Sequence, residues 1–206
     1  IVPHVMGIIL GTLSAISLTL NITVLVAILH ARLLAAKHSP VYILSANLIL
    51  SDAIQITLHL FFFAPAAYNQ SFLLPESLKP QLMVVIDIIM LYAWYFQTLS
   101  HIFVALNRLA VVVFPQAAIF TRHRVIALTI TQHFLSMAMS HVAQFELPCC
   151  RITFVPRVFT YSYLRKEAIY NYSAMVDLPL NSMATLTPLI AYSTVRTNIG
   201  VSGKFV

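Results

Sequence analysis

The sequence predicts an all-α membrane protein, and three observations support this prediction. Hydrophobic residues make up 60% of the 206 residues and charged residues only 9%, whereas a soluble domain has roughly 25% charged residues. Five apolar runs each reach the length of about 20 residues that a helix needs to cross a bilayer. None of them shows a sustained period of two, which argues against a membrane β-barrel. Residues 1–206 are therefore expected to form a single transmembrane domain.

The predicted transmembrane helices cover residues 5–29, 41–64, 82–114, 125–147 and 172–192. The first contains no Asp, Glu, Lys or Arg, and it is too long and lacks the basic flank of a signal peptide. Each of the others contains few charges, which are Asp52 in the second, Asp87 and Arg108 in the third, Glu146 at the end of the fourth, and Asp177 in the fifth.

The net charge of +6 arises from basic residues that lie between the apolar runs. They are not grouped on one amphipathic face, so they predict membrane orientation rather than nucleic-acid binding. Residues 30–40, residues 115–124 and the tail are expected in the cytosol, although four basic residues in 148–171 oppose this rule. Two Asn-x-Ser/Thr sequons, at Asn69 and Asn171, are glycosylation candidates that favour an extracellular N-terminus.

Two polar residues, Asn21 and Asp52, lie deep in the first and second predicted helices. Asp52 is 12 residues after Pro40, or about 18 Å along a helix, and Asn21 is about 14 Å from the same cytosolic edge. Two antiparallel neighbouring helices would bring these residues to nearly the same depth, where they could hydrogen-bond. One interpretation is a polar clamp worth about 0.6 kcal/mol. The other is a cation or proton site inside the bundle.

Arg108 lies in the apolar stretch "VALNRLAVVVFP" (104–115), and no adjacent acid neutralises it. It is seven residues before Pro115, or about 10 Å by helical rise. A long basic side chain can snorkel over that distance to the interface. The residues around it therefore leave open whether Arg108 is an interfacial anchor or a functional cation.

The order of three motifs resembles that of the rhodopsin-like G-protein-coupled receptors. These motifs are an asparagine in the first helix, "ANLILSD" (46–52) in the second and "NRLAVVVFP" (107–115) closing the third. The chain is more similar still to the nematode serpentine chemoreceptors of class x (Srx). The "NR…FP" ending, "LPCC" (147–150) and the aromatic-rich loop "FTYSYL" (159–164) support this closer resemblance. The chain would then contain five of that family's seven helices, as a fragment, a partial gene product or a degenerate member.

The resemblance implies a chemosensory G-protein-coupled receptor for a small molecule, signalling to a heterotrimeric G protein. Such a receptor would be a multi-pass protein of the plasma membrane, including that of sensory cilia. Asn107, Arg108 and Pro115 would form the G-protein-coupling motif. Asn21 and Asp52 would form a core polar or cation site that couples the ligand to helix movement.

The chain departs from the family pattern at several positions. Asn107 replaces the acid that usually precedes the arginine, and Leu109 replaces the tyrosine that follows it. Met83 stands where the family usually has a cysteine, so the disulfide to the second outer loop is not expected. Cys149 and Cys150 would then be free or paired with each other.

The resemblance and the helical rise suggest a ligand pocket near the outer membrane edge. Asp87, Tyr92, Trp94 and Asp177 could face a shared outer cavity, although lipid or interhelix packing also explains the aromatic residues. Receptors for amines carry an aspartate 18 residues before the arginine. Met90 occupies that position here, which argues against an amine ligand.

The sequence shows no pattern typical of an enzyme or of a bound cofactor. The eight histidines have no metal-ligand spacing, and there is no Gly-rich phosphate loop or paired carboxylate arrangement. The competing hypothesis is a small transporter or channel subunit, in which Asp52, Asp87, Arg108 and Asp177 would line a path. Inverted repeats or broken helix pairs should accompany that function, and the sequence shows no repeat.

Overall fold

The computed structural model describes residues 2–35, 39–73, 79–113, 119–146, 151–164 and 172–202. Within these ranges the chain forms a bundle of α-helices and one β-hairpin. The helices are α1 (Val2–His30), α2 (Val41–Leu58), α3 (Ala64–Asn69), α4 (Lys79–Val113), α5 (Arg122–His141) and α6 (Tyr172–Ser202). The hairpin consists of β1 (Arg151–Val155) and β2 (Thr160–Leu164).

Four of the described helical stretches are long and apolar enough to cross a membrane. They are Val2–His30, Val41–Asn69, Gln81–Val113 and Arg122–Glu146. Each corresponds to one of the first four predicted helices, and the second extends five residues beyond its predicted end. The fifth, α6, has 31 residues but is more polar, because it contains Asp177, Asn181 and two prolines within the helix. It packs along α4 and completes the described bundle.

Two of the spanning helices contain a π-helical turn near the end that lies beside the hairpin. Residues His59–Phe63 join α2 to α3, and residues Val142–Glu146 extend α5. The first of these turns places Phe63 in a buried cluster with Leu58 and Phe154. A π turn is rare and occurs mostly as a single turn within an α-helix, frequently at a functional site. Phe63 of the first turn contacts Phe154 of β1, and the second turn also contacts β1, so both turns lie beside the hairpin.

The helix α4 lies at the centre of the bundle, in contact with α2, α5 and α6. The helix α1 packs on the outside, against α2 and α3. Its close approach to α3 depends on Gly7, where a Cβ would come within 2.6 Å of the Tyr68 Cβ atom. Small residues allow helix backbones to approach each other in this way in membrane proteins.

Besides its apolar clusters, the bundle buries many polar side chains, and it exposes many apolar ones. Its exposed residues include Phe134, which is 74% accessible, and Leu178, which is 70% accessible. The buried polar side chains in α1, α2, α4 and α5 include Ser14, Ser51, Gln55, Thr98, Ser100, Thr129, Gln132, Ser136 and Ser140. This arrangement is expected of helices whose solvent is hydrocarbon, because there the exterior gains nothing from being polar.

Hydrogen bonds between helices hold α4 on two sides. The Ser51 hydroxyl donates to the Ala93 carbonyl at 2.7 Å, joining α2 to α4. On the other side, the Gln132 amide of α5 donates to the Phe96 carbonyl at 2.7 Å. Bonds of this type contribute about 0.6 kcal/mol each in a membrane protein. They fix the rotation of α4 more than they add to the total stability.

The segment 159–164, predicted as a loop, contains instead the whole second strand of an antiparallel hairpin, with Phe159 in the turn before it. Ile152 pairs with Tyr163 and Phe154 with Tyr161, across a turn in which Phe159 has φ of 55°. The reason is the alternation of aromatic and small polar residues in "TYSYL", which has the period of a strand. The hairpin rests on the bundle, where the Phe154 ring lies 4.6 Å from that of Phe63.

Candidate functional site

A cavity of about 240 Å³ opens between α4, α6 and the hairpin; we call it the outer cavity. It is lined by Met90, Leu91, Trp94, Ile152, Tyr161, Ser162, Tyr163, Asp177 and Asn181. Met90, Leu91 and Trp94 come from α4. They line the cavity together, because residues three and four apart lie on the same side of a helix. Tyr161 and Tyr163 come from alternate positions of β2, so they share one face of the strand.

Asp177 is the most strongly bonded polar group in this cavity. Its side chain is only 5% exposed, and its two carboxylate oxygens accept hydrogen bonds from two different tyrosines. The Tyr95 hydroxyl of α4 donates to Oδ1 at 2.8 Å, and the Tyr163 hydroxyl of β2 donates to Oδ2 at 2.7 Å. One carboxylate therefore connects a central helix, the hairpin and the last helix.

The electrostatics of the hairpin keep its tyrosines protonated. Burial raises the pKa of Tyr163, and its hydrogen bond to the Asp177 carboxylate raises that pKa further. Burial also raises the pKa of Tyr161, with an additional contribution from the nearby Asp87 carboxylate. Both hydroxyls therefore remain protonated throughout the physiological pH range; that of Tyr163 donates to Asp177, and that of Tyr161 is buried without a hydrogen-bond partner among the described residues.

The structure brings two of the four residues predicted for a ligand pocket to the outer cavity. Trp94 and Asp177 line it, whereas Asp87 is buried near Tyr161 and does not. Tyr92 points away, toward α5, where its hydroxyl lies 2.5 Å from the His133 Nδ1 atom. Tyr92 and Trp94 are two residues apart, and such positions lie on nearly opposite sides of a helix.

Sequence reasoning missed the two tyrosines of the hairpin, Tyr161 and Tyr163, although both line the outer cavity. The alternating pattern of residues 160–164 is the signal that could have predicted a strand with both rings on one face, instead of the loop that was expected. The position of that strand against α4 depends on how the segment folds back, which no local pattern specifies.

The two deep polar residues, Asn21 and Asp52, are not hydrogen-bonded to each other. The Asn21 amide donates to the Ser17 carbonyl of its own helix at 3.0 Å. The Oδ1 atom of Asp52 is buried and has no hydrogen-bond partner, while His101 of α4 is close enough to interact with the carboxylate electrostatically. The hydrogen bond considered from the sequence is therefore absent, and the coupling role of the pair stays a prediction.

A second cavity, of about 370 Å³, lies at the opposite end of α4 and α6; we call it the inner cavity. It is lined by Ser39, Val41, Asn107, Arg108, Val111, Val112, Tyr192 and Val195. Asn107 is buried, whereas Arg108 is exposed, and its guanidinium carbon lies 5.8 Å from the centre of the Tyr192 ring. This distance is in the range of a cation–π interaction. Pro115, the last residue of the predicted coupling motif, lies outside the described residues.

The described parts of the loops lie at the two ends of the bundle in the pairs that the sequence predicted. At the hairpin end, the Gln70 amide donates to the Pro156 carbonyl at 3.1 Å, and Asn69 beside it is exposed. At the opposite end, the Arg122 guanidinium donates to the Leu34 carbonyl at 2.7 Å. The second sequon residue Asn171, and the two cysteines Cys149 and Cys150, lie outside the described residues.

Comparisons with known proteins give a family and a fold. The sequence model of the family described as serpentine type 7TM GPCR chemoreceptor Srx matches residues 12–201. The crystal structure of squid rhodopsin is similar to 98% of this chain with a TM-score of 0.73, at 16% sequence identity. The match covers 53% of the rhodopsin chain, so this chain spans about half the length of that protein. No curated protein sequence matches the chain significantly.

Proposed function

Since this chain belongs to the Srx family of serpentine seven-transmembrane G-protein-coupled chemoreceptors, we propose that it binds a small molecule and signals to a heterotrimeric G protein. The ligand would occupy the outer cavity, and the G protein would engage the end of the bundle that contains Arg108. The proposal concerns a receptor that includes these helices, because the chain spans about half of squid rhodopsin.

The observation that carries this proposal is that the same two helices form both cavities. At the hairpin end, α4 and α6 are joined by the hydrogen bond between Tyr95 and Asp177. At the other end, they are joined by the contact between Arg108 and Tyr192. Asp177 and Tyr192 are 15 residues apart on α6, or about 22 Å along the helix axis. A change at one cavity can thus reach the other through a single packed pair of helices.

The helix α6 has the composition of an element that can bend. Pro179 and Pro188 lie inside it, and each removes one backbone hydrogen bond of the helix. Sharp kinks in helices occur mostly at such prolines. A ligand that contacts α6 near Asp177 would favour one curvature of the helix over another. It can shift the equilibrium only by the difference between its affinities for the two arrangements.

Arg108 supplies the group whose environment would differ between the two arrangements. Among the described residues it has no ion pair, and its described contact is with the ring of Tyr192. An exposed guanidinium with a planar set of donors can bind a partner's carbonyl or carboxylate groups. Movement of Tyr192 with α6 would change how readily Arg108 is available to the G protein.

Asp52 is proposed as the polar site between the two cavities, with Asn21 on the neighbouring helix. A buried carboxylate oxygen without a hydrogen bond is costly in a bundle surrounded by lipid. Binding of a proton or cation there would relieve that cost, and the affinity for it can differ between two arrangements of the helices. Asp52 lines neither cavity, so binding at this site would act on them through the arrangement of the helices.

The orientation belongs to the same proposal. We place the hairpin end outside the cell and the end with Arg108 in the cytosol, so that the receptor faces outward in the plasma membrane, including that of sensory cilia. The basic residues in the loops and the exposed sequon at Asn69 support this orientation. A tag placed after α6 should then resist protease added to intact cells, and digestion of the tag would contradict the orientation.

Ligand-stimulated nucleotide exchange on a G protein tests the receptor proposal. A receptor carrying this sequence is expressed with Arg108→Lys and compared with the parent for surface expression and exchange. Lysine keeps the charge but not the planar set of donors, so we expect normal expression and reduced exchange. The control is Arg124→Lys, because Arg124 is an exposed arginine at the same end that lies outside the inner cavity.

Equal exchange by the parent and the Arg108→Lys variant would show that Arg108 is only an interfacial anchor. Ligand-dependent solute flux in vesicles, without any nucleotide exchange, would favour a transporter instead.

A further inference from the structure

Among the described residues that line the outer cavity, one carries a negative charge and none carries a positive charge. Asp177 is the one acidic residue among its lining residues, and none of them is Lys, Arg or His. Within the described ranges, Asp177 forms hydrogen bonds but no ion pair. A charge in such an apolar setting is costly unless it is paired or fully hydrogen-bonded. As far as the chain is described, the chemistry of the cavity wall therefore favours a cation beside Asp177.

The two tyrosine hydroxyls do not remove this requirement. Each donates to one carboxylate oxygen, and an ionised carboxylate has about four acceptor positions. Neither hydroxyl neutralises the charge, because a tyrosine side chain is either neutral or anionic. Asp177 is thus held in a fixed orientation while part of its acceptor capacity remains available on the side of the cavity.

Aromatic rings complete the site. Trp94, Tyr161 and Tyr163 line the same cavity as the carboxylate. The face of an aromatic ring attracts a cation, most strongly for tryptophan, and more so when water is excluded. The volume of about 240 Å³ is below the usual range of about 300–1,000 Å³ for drug-sized ligands. Charge, aromatic rings and size together describe a site for a small molecule with one positive charge.

We propose that the outer cavity binds a small organic amine in its protonated form, with Asp177 as the counter-charge and the rings of Trp94, Tyr161 and Tyr163 around it. This inference rests on the proposed receptor function and names its ligand class. It reverses the expectation drawn from Met90, which concerned an aspartate on α4. Met90 lines this cavity, but the carboxylate comes from α6.

The single tryptophan of the chain provides the measurement. Trp94 lies in the cavity wall and is the only tryptophan in the 206 residues, so its fluorescence reports occupancy directly. The purified chain in lipid nanodiscs is titrated with isopentylamine and phenethylamine. The matched controls are isopentanol, which has the same carbon skeleton without a charge, and isovalerate, which has a negative charge. We expect a saturable change in emission with the amines, at least about tenfold weaker binding of the alcohol, and none of the carboxylate.

Variants separate the charge from the shape of the site. Asp177→Asn keeps the size and one acceptor oxygen but removes the charge, and should weaken amine binding by about tenfold or more. Glu146→Gln is the matched acid-to-amide control, because Glu146 is exposed near the hairpin end and does not line the cavity. It should bind the amine as the parent does.

Three results would overturn the amine site. They are equal binding of isopentanol and isopentylamine by the parent chain, undiminished amine binding by Asp177→Asn, and no saturable response to either amine. The first and third need no variant, so they hold even if the substitution prevents folding. The assay contains no G protein. Amine binding without nucleotide exchange would contradict the receptor proposal alone, and exchange driven only by uncharged ligands would contradict the amine site alone.

Discussion

The two ends of the α4–α6 pair are held together by contacts of different kinds. At the hairpin end, a carboxylate that is 5% exposed accepts hydrogen bonds from Tyr95 and Tyr163. At the other end, an exposed arginine lies over the ring of Tyr192. Hydrogen bonds to a charged group contribute about 1.5–3 kcal/mol each, whereas an exposed cation–π contact contributes about 0.5–1 kcal/mol. The outer end is therefore expected to be fixed and the inner end to be adjustable.

This difference suits a protein that must read a ligand at one end and change shape at the other. A fixed carboxylate loses little conformational entropy when a ligand binds, which increases affinity. A weak contact is easily exchanged for another, and a small difference in free energy then changes the populations of two arrangements. The following predictions test whether the two ends differ in this way.

The largest expected effect is that of Asp177→Ala, which removes both hydrogen bonds at the outer end. It leaves two tyrosine hydroxyls without their acceptor, and we expect a loss of about 3 kcal/mol in stability. For a chain of this size that lowers the Tm by roughly 10 °C, measured by thermal unfolding in detergent. Leu178→Ala is the control, because Leu178 is 70% exposed and should face lipid. Equal Tm values for the two variants would contradict the assignment of the outer end as the fixed one.

A smaller effect distinguishes the two tyrosines that bind Asp177. Tyr95 is completely buried, whereas Tyr163 is partly exposed. Loss of a hydroxyl is more costly where water cannot replace it, so Tyr95→Phe should cost about 2 kcal/mol and Tyr163→Phe about 1 kcal/mol. Thermal unfolding of both variants and of the double variant measures the difference. If Tyr163→Phe proves the more destabilising, the hairpin and not α4 is the main support of the carboxylate.

The smallest effect on stability is expected at the inner end. Tyr192→Leu removes the ring beneath Arg108 and should lower the Tm by less than about 4 °C, because an exposed cation–π contact is weak. The same change should alter the ratio of ligand-stimulated to basal nucleotide exchange by about two- to fivefold. Tyr192→Phe keeps the ring and should leave this ratio unchanged. A Tm loss as large as that of Asp177→Ala would remove the difference between the ends.

The positions of the spanning helices could be predicted from the sequence, because they depend on the length of the apolar runs. Four spanning helices were found within a few residues of their observed bounds, because a bilayer of fixed thickness imposes a minimum apolar length. The family was also predictable, since "NRLAVVVFP" and "ANLILSD" occupy the ends and centres of particular helices. These are local features that need no knowledge of packing.

The candidate site was less predictable, because it depends on helix rotation and on a segment that folds back. Tyr92 was grouped with Trp94 by proximity in sequence, but the two lie on nearly opposite sides of α4. Tyr161 and Tyr163 reach the cavity only because β2 pairs with β1 and rests against Phe63. The contact between Arg108 and Tyr192 joins residues 84 positions apart, and no local pattern specifies such a pairing.

The π turns at His59–Phe63 and Val142–Glu146 have a consequence for comparing this chain with its relatives. A π turn accommodates one more residue than the α turn it replaces, so residues beyond it are rotated by roughly one helical position. Within the helix that contains Asp52, the residues before the π turn and those after it therefore align with an all-α relative in registers that differ by one residue. Positions counted from Asp52 toward the hairpin agree with an all-α relative only as far as His59. Beyond it, the equivalent residue in such a relative is found one place earlier. An alignment of the cavity-facing ends of these helices needs a gap of one residue at each π turn, and the position of that gap is fixed by the backbone.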